Sequence, residues 1–256
     1  MATWEVINPK RNLRIKKTQR WVNNFALIAF NTFVLRFLMP TSLVALTIFC
    51  SDRNWGVLNY TDWPLAVEVA IAFVFFDFAI YLQHVLVHAI PLLWRLHQVH
   101  HADMDLDVTS GARFHTLEMI LSMFIKYSLV VFIGPPVLAV MIFEWVLNAA
   151  AMFNHSNVVI PPAIDKWLRW WIVTPDMHRI HHSTKIAETN SNFGFNLPWW
   201  DRLFGTYKAE PQLGQIHMQI GLDYVTNEQE ATRFISLLKM PFVKRSDDYT
   251  LLSDKN

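Results

Sequence analysis

The 256-residue chain has one cysteine, seven glycines and a charged fraction of only 17%. A lone thiol, Cys50, can form neither an intramolecular disulfide nor a thiolate cage, so any bound metal must be held by nitrogen and oxygen. Cys50 itself reads as a small apolar residue near a helix end. Scarce glycine argues against a loop-rich β protein, and a formal net charge of +1 gives no general attraction to polyanions, which sets nucleic acid aside as a partner. No self-similarity at 20 to 50 residues and no low-complexity linker divide the chain, so residues 1–256 are expected to form a single domain.

What the chain does have is apolar surface and histidine. Hydrophobic residues make up 53% of it, with 19 Phe and 11 Trp, too apolar for an ordinary soluble domain of this size. The expected fold is an all-α integral membrane protein with about four transmembrane helices. A basic stretch at 1–21 precedes an apolar run from Trp21 to Cys50, which reads as a retained helix kinked at Pro40 rather than as a cleaved leader. The second run opens at Pro64 and reaches Tyr81. The third and fourth, Leu117–Ile133 and Val137–Phe153, are separated by Gly134-Pro135-Pro136, which marks a tight reversal.

Bases cluster before the first run, so the N-terminus is expected in the cytoplasm. Four crossings then bring the C-terminus, the 84–116 loop and the tail beyond 154 to the same side, as a cytoplasmic helical cap. Ten of the eleven histidines precede Lys185 in those regions, and the other, His217, stands alone in the tail and reads as a surface residue.

Nine of the ten are grouped by spacing, His115 being the other: His84-x-x-x-His88, His97-x-x-His100-His101, His155, and His178-x-x-His181-His182. On a helix, residues three or four apart share a face, so each cluster aims its imidazoles at one region. Chance would give about 0.02 copies of H-x-x-H-H at this composition. So many nitrogens exceed what one tetrahedral zinc accepts, which implies two metal ions. An all-nitrogen set suits iron, zinc or copper, and only a redox-active metal would support O2 chemistry. Within the second apolar run, Asp77 is a costly acid, best explained as an acceptor for a ligating imidazole N–H; Glu118 and Glu144 also lie near the histidine segments.

At these clusters the sequence resembles the fatty acid hydroxylase and sterol desaturase superfamily of membrane-bound di-iron enzymes. The eight histidines of its boxes match His84, His88, His97, His100, His101, His178, His181 and His182. Asn154-His155-Ser156-Asn157 resembles the histidine segment after the last membrane helix. Asn192-Phe193-Gly194 and Trp200-Asp201-Arg202-Leu203-Phe204-Gly205-Thr206 resemble the closing segment, so the likeness covers about residues 65–210. One departure is visible: R-x-H-P-x-E reads Arg113-Phe114-His115-Thr116-Leu117-Glu118, with Thr for Pro.

The resemblance implies two Fe ions held by those eight histidines and His155, with zinc as a substitute in purified protein. It makes His115, Asp77, Glu118, Asn154 and Asn192 candidates for ligands or for groups that brace them. It further implies a membrane lipid substrate, O2, and hydroxylation or desaturation of a C–H bond. No dinucleotide fingerprint or haem motif is visible, so electrons are expected from a reductase with a cytochrome b5- or ferredoxin-like carrier. Two alternatives remain open on the residues alone: a zinc-dependent membrane hydrolase using Glu118 or Asp176 as base, and a non-catalytic metal-binding membrane protein.

Overall fold

Proline decides where the first apolar run stops. In the computed structural model, which describes residues 1–243 and 249–252, α1 (Ala2–Ile7) is followed by α2 (Lys17–Leu38). Helix α2 gives out at Met39, because Pro40 has no N–H to donate and disfavours helix in the residue before it. A new helix, α3 (Leu43–Asp52), starts where the Ser42 side chain accepts the Ala45 N–H at 3.1 Å. The kink expected at Pro40 is therefore a complete break in the helix. Both pieces, with the turn after them, still form one candidate membrane span, Lys17–Tyr60.

The remaining candidate spans are α4 (Leu65–Ala89), α6 (Thr116–Ile133) and α7 (Val137–Asn154), with the short α5 (Pro91–His101) between α4 and α6. All four are long and apolar enough to cross a membrane. No strand is present among the described residues, only isolated bridges at Pro9–Val158 and Ser183–Ile220. Helix α3 packs on α6 and α7, and α4 packs on α7, where Phe73 and Phe76 meet Phe143 at ring distances of 5.6 and 5.1 Å. The Gly134-Pro135-Pro136 reversal forms as expected. Gly134 ends α6 at φ +62 and touches Gly56 at φ +96; a Cβ on Gly56 would stand 2.1 Å from the Gly134 nitrogen, so only glycine lets the two turns meet.

Beyond α7 the chain continues through short helices: α8 (Pro162–Leu168), α9 (Pro175–His181), α10 (Ile186–Thr189), α11 (Trp199–Leu203), α12 (Gly214–His217), α13 (Glu228–Thr232) and α14 (Phe234–Lys239). The expected tail, 211–256, is followed to Val243 and again over 249–252; its other residues lie outside the described ones.

The N-terminal segment is tied to this cap. Glu5 accepts the N–H groups of Val108 (2.8 Å) and Asn157 (2.9 Å), and Lys10 pairs with Asp176 at 2.7 Å. Arg20, fully buried, donates to Asp103 (2.9 and 2.8 Å) and pairs with Asp107. Burial opposes ionisation of Asp103, but Arg20 and Arg113 prevail and hold its carboxyl at about 2. The N-terminus, the histidine segments and the described tail thus share one end of the four spans, while Gly56 and Gly134 mark the other.

Candidate metal centre

Four segments converge at the capped end. Helix α4 delivers His84 and His88 one turn apart. The chain turns at Ile90 into α5, where Pro91 takes the first helical position, and α5 delivers His97, His100 and His101. His155 caps the C-terminus of α7. Helix α9, with Pro175 at its start and Thr174 capping the Met177 N–H at 3.4 Å, delivers His178 and His181, and His182 follows as its C-cap. All nine side chains are buried.

They form two groups. Nitrogens of His84, His88, His97, His101 and His181 lie within 4.8 Å of one another, as do those of His100, His155, His178 and His182. The H-x-x-H-H spacing explains the division. Residues i and i+4 share a helix face, so His97 and His101 enter the first group while His100, a step round the helix, enters the second. The motif on α9 works in reverse: His178 and His182 enter the second group and His181 the first. Each H-x-x-H-H therefore links both groups.

Six of the nine rings are oriented from behind by Nδ1–H donors, while Nδ1 of His101, His178 and His182 is buried without a hydrogen-bond partner. His84 donates to the Phe193 carbonyl (2.7 Å), His88 to Asn190 Oδ1 (3.1 Å), His97 to Glu118 Oε1 (2.6 Å) and His181 to the Ser191 carbonyl (2.9 Å). In the second group His100 donates to the Arg113 carbonyl (3.2 Å) and His155 to the Ala151 carbonyl (2.8 Å). With Nδ1 protonated, each Nε2 keeps a bare lone pair facing inward.

Those inward nitrogens have no ordinary partners. Nε2 of His84, His97 and His181 is buried without a hydrogen bond. Others face each other, His88 against His101 at 3.1 Å and His155 against His100 at 3.0 Å. Lone pairs gathered like this are stable only around a cation, so the donor set fits a pair of nitrogen-ligated metal ions. Burial lowers His100, His101, His178, His181 and His182 well below the usual imidazole range, and His155 to about 4 against the opposing pull of the Ala151 carbonyl. These shifts favour the neutral imidazole, the form that a metal ion would need.

The other candidates separate clearly. Glu118 touches His97 and takes the bracing role that the sequence suggests for Asp77. Asp77 instead accepts from Trp200 Nε1 at 2.8 Å, fastening α11 to α4. His115 stands outside both groups: its Nδ1 accepts the Leu117 N–H (3.2 Å) as the N-cap of α6, and its Nε2–H donates to the Leu238 carbonyl (3.3 Å). Asn154 donates to the Phe195 carbonyl (3.1 Å), and Asn192 donates to the carbonyls of Met177 (3.0 Å) and Lys208 (2.9 Å); both brace the closing segment without touching an imidazole. His217 is exposed. The carbonyls behind the rings escape sequence reasoning, since a main-chain acceptor has no side-chain signature, and Asn190, which meets His88 only across the fold, stands in no motif.

A cavity of about 350 Å³ opens from this centre between the spans. His84, His97, His100 and Glu118 form its wall at the capped end, and Leu35, Ile80, Met123 and Leu147 line its apolar walls.

The sequence profile of the fatty acid hydroxylase family matches residues 69–206. Among curated proteins, the chain is similar to the ornithine lipid hydroxylase OlsE of Rhizobium tropici, 30% identical over 187 residues, 72% of this chain and 53% of that protein. It is also similar to the alkylglycerol monooxygenase of Homo sapiens (29% over 161 residues; 62% and 34%) and the cholesterol 25-hydroxylase of Rattus norvegicus (26% over 149; 57% and 49%). The chain spans about half the length of these relatives or less. No solved structure matches it.

Proposed function

The chain belongs to the fatty acid hydroxylase family, and from that membership we propose that it is an integral-membrane oxidoreductase that uses O2 and externally supplied electrons to hydroxylate a lipid C–H bond. The observation that carries this reading is the pair of buried imidazole groups whose inward nitrogens lack partners. Two iron ions held there, one by His84, His88, His97, His101 and His181 and one by His100, His155, His178 and His182, would supply reductive activation of O2 and the oxidant for the C–H bond.

The protein's own residues do the rest. Carbonyls of Phe193, Ser191, Arg113 and Ala151, with Asn190 and Glu118, fix the tautomer and pitch of each ring behind which they stand. The cavity presents an apolar route from the spans to the histidine end, excludes bulk water and holds a chain against that end. Hydroxylation is favoured over desaturation by what the relatives' names describe. A hydrolytic alternative loses support, because Glu118 is engaged by His97 and Asp176 by Lys10 and Arg179. The capped end is proposed to face the cytoplasm, where a reductase with a cytochrome b5- or ferredoxin-like carrier would deliver electrons.

Lipid extracts from cells carrying the wild type or His181→Ala, compared by mass at equal membrane abundance, test this. The wild type should add one oxygen to a lipid class and the variant should not, since one group then lacks a nitrogen. Near-normal oxygenated product from the variant, or turnover without O2, would overturn the proposal.

A further inference from the structure

The cavity is not uniformly apolar. At its deep end Lys126 on α6 and Glu144 on α7 form an ion pair at 2.9 Å, with side-chain exposures of 9% and 30%. Lys126 lies ten residues into α6, about 15 Å along its axis, and Glu144 lies seven residues into the antiparallel α7, about 10 Å from its start. Both therefore sit near the middle of their spans. Charges at that depth are expensive and by default mark a functional site.

The surroundings are also polar. Glu118, Ser122 and Lys126 recur every fourth residue along α6 and line one side of the cavity, with Glu144 and Asn148 opposite them on α7. Gln83 on α4 lines the same space, and its buried Oε1 has no hydrogen-bond partner. A bare hydrocarbon would leave Gln83 Oε1 without a partner and the remaining donors of Lys126 unused. The ion pair uses one of the ammonium's three donors and one carboxylate oxygen, so it can still donate and accept, while its net charge is zero. Such a subsite suits a neutral group that does both.

We infer that Lys126 and Glu144 form a subsite for an uncharged hydrogen-bonding group, a hydroxyl or amide, on an amphiphilic lipid lying in the cavity. This rests on the proposed lipid oxidation and names a substrate class for it. Eight residues separate Lys126 from Glu118, about 12 Å of helix, so the polar group lies about that far from the histidine end. The substrate is thereby gripped by its polar group at one end and offered to the centre at the other.

The test uses the full-length protein in lipid nanodiscs with two photoreactive C16 probes of equal length, each carrying a diazirine, one ending in a hydroxyl and one in a methyl group. Crosslinked peptides are mapped by mass spectrometry. The alcohol should label the α4, α6 and α7 cavity peptides roughly tenfold more than the hydrocarbon, the preference expected for hydrogen bonds to charged partners. In Lys126→Met/Glu144→Met, which removes both charges together, the preference should fall to about unity. Equal labelling of the wild type by both probes, which needs no variant to fold, would overturn the inference; so would an undiminished preference in the double variant. Were the oxygenase reading wrong, no lipid would gain oxygen, yet the alcohol preference and its dependence on the pair would persist.

Discussion

Glu118 offers the sharpest perturbation of the centre. It accepts the His97 Nδ1–H at 2.6 Å, and both side chains are nearly inaccessible, 4% and 3% exposed. Glu118→Gln keeps the shape and one acceptor oxygen but removes the charge. A hydrogen bond to a charged partner contributes about 1.5–3 kcal/mol against about 1 for a neutral one, so the His97 imidazole loses about 0.5–2 kcal/mol of support, up to roughly thirtyfold in metal retention. Glu118→Ala leaves a buried N–H unpaired and should reach the upper part of the 10–100-fold range typical of groups behind ligating histidines, or about hundredfold. The assay is elemental analysis of purified protein sampled over time after a chelator is added. Only the five-histidine group contains His97, so about half of the bound metal should leave early while the rest follows the wild-type rate. If both variants release all their metal at the wild-type rate, the carboxylate is not supporting a ligand and the assignment of His97 fails.

Three further outcomes follow from the same geometry. Purified protein from iron-replete cells should hold about two metal ions per chain, because two separate nitrogen groups each suffice for one; elemental analysis giving one or none in active protein would contradict this. Gly111→Ala should lower metal content in the four-histidine group: a Cβ there would stand 2.3 Å from the Ala151 carbonyl, the acceptor that orients His155, and 3.3 Å from His155 Nδ1, so normal metal content with normal turnover would argue against it. Reporter fusions at the two termini should both read as cytoplasmic, as four crossings and the basic residues before Trp21 require, and an outward C-terminal reporter would mean that one of the four apolar helices does not cross.

Much of the centre was legible in the sequence because its signal is periodic. His84/His88 and the two H-x-x-H-H motifs announce themselves by helical spacing, and the apolar runs around them announce the spans. The boundary at Pro40 was half visible: proline marks a disturbance, but whether a helix bends or stops there depends on what packs beside the gap, here Tyr127, whose hydroxyl donates to the Thr41 carbonyl. Asp77 and Glu118 show the limit more plainly. Both are acids beside histidine segments, and sequence distance favoured Asp77, which is close to His84 in the same helix. Contact across helices decided otherwise, since α6 sets Glu118 against α5 while α11 brings Trp200 to Asp77. The division of each H-x-x-H-H between two groups was likewise invisible without knowing which way α5 and α9 face.

That division imposes an order on assembly. Four histidines of the first group, His84, His88, His97 and His101, lie on consecutive helices within one short stretch of chain, and only His181 arrives from afar. The second group recruits from three distant places, His100, His155 and the His178/His182 pair, and none of these can meet until α6 and α7 have folded back on the rest. Closing a long loop carries an entropic cost that the neighbouring α4–α5 pair largely avoids. The first four histidines of the five-histidine group can therefore approach one another on the α4–α5 pair alone, whereas the four-histidine group has no such local start, and both are completed only when α9 brings His181 and the His178/His182 pair into place.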